Sequence, residues 1–176
     1  MPAAARKDEL QITRPEATRV LRAEDIPDRD LEVAQIPADV VEIAAGAFRW
    51  CARLRKVVFA PGSRLETIGA EAFRASGLTE FSAPESLRLV AAGAFAQCRA
   101  LTRVVLGDGL EALGDCSAET SDFGVFQGAG LEFVKLPSGL PRIPYAAFQD
   151  CARLRDIQLP QGLREVGPWA FAFAGL

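Results

Sequence analysis

The 176-residue chain has no histidine, a single tyrosine, a single methionine and four cysteines. Without histidine there is no Ser-His-Asp triad, no Cys-His pair and no zinc site with an imidazole ligand. Lysine and arginine number 20 against 23 aspartates and glutamates, a net charge of −3. The positive surplus with which a general nucleic-acid binder neutralises phosphates is therefore missing. No apolar run approaches the roughly 20 residues that cross a bilayer. The opening MPAAARKDELQITRPEATR has no apolar stretch of the kind a secretory signal requires. Nor is there a phosphate loop, and no carboxylate is tied by a motif to a second acid. What is present is the material of a folded core, with 49% apolar and 24% charged residues.

That material is periodic. A small residue followed by phenylalanine recurs at Phe48, Phe73, Phe95, Phe126, Phe148 and Phe171, with spacings of 25, 22, 31, 22 and 23. Five or six residues after each comes a leucine: Leu54, Leu78, Leu101, Leu131, Leu154 and Leu176. Apolar positions follow at three and five residues beyond, as in Leu154-x-x-Ile157-x-Leu159. The tract alternates as a short strand does, and Pro- or Gly-containing turns such as Pro160-Gln161-Gly162 follow it. GDGLEALGD, which looks like a Gly-rich motif, is turn punctuation within this pattern. Units this small cannot bury their own apolar face and must stack.

The pattern extends backward through Leu31, Ala34, Ile36, Val40 and Ile43. In degenerate form it continues through Leu21 and Ile26, where Ile26 stands in the Phe slot. The chain thus reads as a flexible arm over 1–17 and one solenoid domain over 18–176. Two extra residues around Pro61-Gly62-Ser63 and eight extra in the third interval, centred on 114–122, interrupt the repeat. The last coil is read as uncapped at Leu176, as in a fragment of a longer protein.

The unit I-x-x-x-A-F-x-x-C-x-x-L-x-x-V-x-L-P-x-x-L resembles the BspA-type leucine-rich repeat, over Leu31 to Leu176 and less regularly back to Thr18. The resemblance implies a curved right-handed solenoid with a parallel β-sheet on one face and short helical turns or loops on the other. It also implies a family found in bacterial surface proteins and expanded protist gene sets, linked to protein binding and adhesion.

Individual residues then take places in the coil. The six ladder phenylalanines form a core spine, with Phe59 and Phe81 also inward. Cys51, Cys98 and Cys151 share one slot, three residues after the ladder Phe, held elsewhere by Ser76, Ala129 and Ala174. That is small-residue packing, not a ligand set or a disulfide framework.

The outward strand positions form two columns. One runs Val33, Lys56, Glu80, Arg103, Phe133 and Asp156, and its neighbour runs Gln35, Val58, Ser82, Val105, Lys135 and Gln158. Such a face is where solenoids meet partners, and Phe133 is its candidate hot spot. In the insertion, Asp115, Cys116, Glu119 and Asp122 form the irregular candidate site. They lack the order of a calcium loop, and no positive neighbour is there to activate the thiol. Phe123 and Tyr145, at equal offsets on adjacent coils, are expected to stack and anchor this loop.

The reading is a non-catalytic protein-binding or scaffolding module with no catalytic residue, metal or cofactor. Its partners are proteins, and an intracellular setting is favoured. A fragment of a secreted or surface adhesin is one alternative. A small structural subunit paired edge to edge through its C-terminal repeat is another.

Overall fold

The computed structural model describes residues 9–11, 19–26, 28–117 and 121–176. Two short strands open the chain, β1 (Glu9–Gln11) and β2 (Val20–Leu21), and a 3-10 turn at Ala23–Asp25 follows. Each regular coil then contributes two strands. The first comes from the L-x-x-V-x-L tract: β3 (Val33–Ile36), β5 (Lys56–Phe59), β7 (Glu80–Ser82), β9 (Arg103–Val105), β11 (Phe133–Lys135) and β13 (Asp156–Gln158). The second is two residues long: β4 (Glu42–Ile43), β6 (Thr67–Ile68), β8 (Leu89–Val90), β10 (Ala112–Leu113), β12 (Arg142–Ile143) and β14 (Glu165–Val166). Every strand pairs in parallel with its counterpart one coil away, so the molecule is a parallel β-solenoid of about six coils.

One sheet was expected, and there are two ladders. The longer strands stack as β1-β3-β5 and β7-β9-β11-β13, and the shorter ones as β2-β4-β6-β8-β10 and β12-β14. Each ladder breaks once, beside an insertion in its coil. The long ladder parts between β5 and β7, where Pro61-Gly62-Ser63 lengthens the turn after β5. The short ladder parts between β10 and β12, where the 114–122 insertion follows β10. The segment read as a loose arm contains β1, whose Glu9, Leu10 and Gln11 pair with Val33, Ala34 and Gln35. The remainder of 1–17, apart from this strand, lies outside the described residues.

The tract around the ladder Phe was expected to be a helical turn and is instead a pair of linked tight turns. In five coils the residues two before and two after the Phe take left-handed backbone: Gly46 and Trp50, Glu71 and Ala75, Gly93 and Gln97, Ala146 and Asp150, Trp169 and Phe173; in the Phe126 coil only Gly128 does. This alternation points every second N–H along the solenoid axis. Gly46, Phe48 and Trp50 donate to the carbonyls of Ala70, Ala72 and Arg74 in the next coil, at 2.7–2.9 Å. The intervening N–H groups close turns within the coil, as Cys51 does onto Phe48 at 3.2 Å. A helix would turn these donors onto its own carbonyls and lose the contact between coils.

The phenylalanine rings stack in one column, with centroids 5.1–5.4 Å apart and planes within 9° of parallel. Phe48, Phe73, Phe95, Phe126 and Phe148 are fully buried, and Phe171, at the end of the column, is only partly so. The cysteine slot is buried as expected and does more than fill space. The thiols of Cys98 and Cys151 donate to the carbonyls of Phe73 and Phe126, at 3.0 and 3.1 Å. Burial pushes these two thiols up to about 11 and about 12. Coils without cysteine are one residue shorter between Phe and Leu, and the chain there passes closer to its neighbour. A Cβ on Gly77 or Gly130 would lie 2.1 Å from the carbonyl oxygen of Ala52 or Arg99, so only glycine fits.

Candidate protein-binding face

Alternation along the long strands sends Val57, Phe81, Val104, Val134 and Ile157 inward, and their neighbours out. Register then lines the outward residues up. Glu80 lies beside Arg103, Arg103 beside Phe133 and Phe133 beside Asp156. In the next column Ser82, Val105, Lys135 and Gln158 adjoin in turn. Lys56, Glu80, Ser82, Arg103, Lys135, Asp156 and Gln158 are exposed, as is Val58 at 39%.

Two contacts organise this face. Lys56 Nζ lies 3.9 Å from Glu80, a pair too exposed to contribute much stability. The Arg103 guanidinium covers the Phe133 ring at 4.3 Å. Phe133, the hot spot expected from sequence, is therefore half-buried under a cation.

The sequence reading missed a hollow of about 510 Å³ where β5 and β7 part. Val57, Val58, Phe59, Ala60, Ala83 and Pro84 line it, with Lys56, Ser82, Glu85 and Ser86 at its rim. Ala83 is one cause. The equivalent positions in other coils hold Ile36, Phe59, Leu106, Leu136 and Leu159, so the β7 coil lacks a large side chain there. The lengthened turn after β5 is the other. Phe81 is correspondingly large and buried, edge-on to Phe59 at 5.9 Å, but Phe59 itself is only partly covered and does not close the gap. A lone alanine in a column of large aliphatic and aromatic residues was the available signal.

In the insertion the described residues are engaged with the rest of the coil. Asp115 is held by the Arg142 guanidinium and accepts the Tyr145 N–H at 3.1 Å. Ser117 and Ser121 bridge each other through their backbones at 3.0 Å. The buried Ser121 hydroxyl donates to Glu71 at 2.9 Å, and Arg49 and Arg74 each approach Glu71 within 3.1 Å. Burial alone would raise the Glu71 pKa. The hydrogen bonds from Arg74 and Ser121, with the charges of Arg74 and Arg49, outweigh it and hold the carboxyl below its ordinary value.

Asp122 is exposed, and Glu119 lies outside the described residues. Burial, with Asp115 and Asp122 adding to it, pushes the Cys116 thiol up, away from a reactive thiolate. Among the described residues no group of three or more acids and cysteines converges in a metal-holding geometry. Phe123 and Tyr145 do not stack as expected. Phe123 lies under the Arg74 guanidinium at 3.9 Å, and Tyr145 is exposed.

Six copies of the BspA type leucine-rich repeat region match the chain, over residues 28–123 and 119–176. The chain belongs to this family. Among solved structures it is similar to a leucine-rich repeat protein from Bacteroides ovatus (27% identity, TM-score 0.64, covering 84% of this chain and 42% of that one). It has the fold of the leucine-rich repeat protein of T. pallidum (23% identity, TM-score 0.65, covering 84% and 63%). A leucine-rich cell surface protein from Faecalibacterium prausnitzii is a third likeness (27% identity, TM-score 0.50, covering 72% and 38%). The chain spans less than two thirds of the length of each. No functionally curated protein matches it. This BspA-type chain carries the sheet face of its family together with a hollow traceable to its own Ala83 and Pro61–Ser63. Among its described residues, no helix is long and apolar enough to cross a membrane.

Proposed function

We propose that this chain is a non-catalytic protein-binding module that engages its partner through the outward face of β5 to β13. One observation carries the reading. The long ladder holds two registered columns of outward side chains beside an apolar hollow, and the buried Phe stack does not depend on them. An extended, rigid face with a central cation-capped aromatic and an adjacent apolar recess supplies both the anchor and the polar rim that partner recognition uses. The hollow around Val58 and Phe59 is the anchor site, and Arg103–Phe133 is the second contact.

The test compares proteins captured by the wild-type chain, by a Val58→Asp/Phe133→Ala variant and by a Glu111→Lys variant next to the other ladder. Partners retained by wild type and by Glu111→Lys but lost from the face variant support the reading. Identical capture by all three contradicts it. Placement at a cell surface is a second reading, supported by the likeness to the F. prausnitzii cell surface protein. Surface labelling of intact cells decides it, since a chain found only after lysis is not displayed outside.

A further inference from the structure

We propose that the split between β5 and β7 binds an extended peptide segment of the partner protein, whose main chain pairs with Phe59 and Ser82 while an apolar side chain enters the hollow. The inference rests on the hollow being the anchor site and names what fills it.

The split is an internal gap in the long ladder, pinned at both margins. Where the strands begin, the Thr79 N–H donates to the Arg55 carbonyl at 3.2 Å. Beyond the turn, the Ser86 hydroxyl donates to the Leu65 carbonyl at 2.8 Å. Between these points no backbone hydrogen bond joins β5 to β7. The next intervals show what is missing. There the Ala83 N–H donates to the Val105 carbonyl at 2.9 Å, and the Leu106 N–H to the Lys135 carbonyl at 3.0 Å. The equivalent bond, from the Phe59 N–H to the Ser82 carbonyl, is not made. On the other side of β5 the Ala60 N–H donates to the Ile36 carbonyl at 3.0 Å. Its counterpart one coil on is Pro84, which has no N–H to give the Phe59 carbonyl.

These groups decide the occupant. Ala60 and Ala83 bond away from the gap, so their neighbours Phe59 and Ser82 present their main-chain groups to it. The recess thus offers partial charge of both signs, one N–H and two carbonyls, beside the apolar walls of Val57, Val58 and Pro84. An ion complements only one sign, and a purely apolar ligand neither. An extended peptide donates and accepts along one line and carries a side chain for the space left by Ala83. The break in the short ladder shows such a gap filled from within the chain. Between β10 and β12 the 114–122 insertion docks, and the Asp115 carboxylate accepts the Tyr145 N–H at 3.1 Å. Between β5 and β7 the chain is longer by only two residues, and no described side chain accepts the Phe59 N–H.

A library of random octapeptides displayed on phage, selected on the full chain, tests this. Enriched peptides are expected to share an aliphatic or aromatic residue and to slow hydrogen exchange at the Phe59 amide. Each amide of a selected peptide is then replaced in turn by an ester, which removes one N–H and keeps every side chain. At least one replacement is expected to weaken binding about 5- to 10-fold. Ala83→Leu, which places in the hollow the residue type of Leu106 and Leu136, is expected to abolish binding. No enriched peptide, unaltered exchange at Phe59, an ester series of unchanged affinity, or undiminished binding to Ala83→Leu overturns the proposal. Should Ala83→Leu fail to fold, the Phe59 exchange and the ester series decide. Partners lost from the Val58→Asp/Phe133→Ala variant alongside an inert ester series leave the binding face standing and remove only the main-chain pairing. Capture unchanged by that variant removes the face itself.

Discussion

Replacing Phe126 by alanine tests the Phe column as the source of stability. Phe126 is fully buried between Phe95 and Phe148, whose rings lie 5.4 and 5.3 Å away. Truncation there removes an aromatic ring from a site closed above and below, at a cost of about 3–5 kcal/mol. Phe171→Ala removes the same atoms from the end of the column. It has one ring neighbour and is already partly exposed, so no closed cavity forms. Roughly half the burial term is lost, about 1–2 kcal/mol. With a urea slope of about 2 kcal/mol/M, Phe126→Ala lowers the midpoint by about 2 M and Phe171→Ala by less than about 1 M.

Far-UV circular dichroism follows the whole solenoid. The two tryptophans, Trp50 in the Phe48 coil and Trp169 in the Phe171 coil, report its ends separately. In a structure that interacts mainly between neighbouring coils, Phe171→Ala should loosen the Trp169 signal ahead of Trp50. Equal midpoint losses for the two variants, or a Phe126→Ala loss below about 0.5 kcal/mol, would refute the idea that closure from both sides sets the cost.

Glycine positions give a contrast of the same kind. Gly130→Ala forces a Cβ to 2.1 Å from the Arg99 carbonyl and is expected to cost upwards of about 1–3 kcal/mol. Gly139→Ala meets nothing within 4 Å and is expected to be neutral or slightly stabilising, which thermal melts of the two variants would read. Thiol titration of the native protein near neutral pH should modify Cys116 alone, because Cys51, Cys98 and Cys151 are buried, whereas the unfolded chain should yield all four. Rapid modification of a second native thiol would count against the buried slot. Glu71 has a folded pKa below its unfolded value, so its stabilisation is fully present above the unfolded value near 4.5 and lost as pH falls through the lower one. Glu71→Gln should therefore weaken the protein at neutral pH and cost progressively less in acid, and a pH-independent penalty would contradict this origin.

The coil register was legible because burial dictated residue type at the same positions six times over. Phe48 through Phe171, the leucines from Leu54 on and the small residues of the cysteine slot all follow from stacking. The short ladder was not legible, since two residues such as Glu42–Ile43 are too few to show alternation. The left-handed turns were half visible. Gly46, Gly93 and Gly128 mark them, but Trp50, Gln97 and Asp150 at equivalent places conceal the pattern, because their backbone is held by hydrogen bonds between coils. Where the insertion docks depends on Arg142 and Tyr145, far along the chain from Asp115, a pairing that no local pattern encodes. The hollow between β5 and β7 left a readable trace at Ala83, whose meaning appears only once its neighbours in the column are aligned.

A photo-reactive residue tests most directly whether the partner lies on the long-strand face. Placed at Ser82, beside the hollow, it should form covalent adducts with a captured protein. Placed at the exposed Glu111 next to the short ladder, it should form none. Adducts from Glu111 with none from Ser82 would put the binding surface on the other side of the solenoid and contradict a partner seated on the long-strand face.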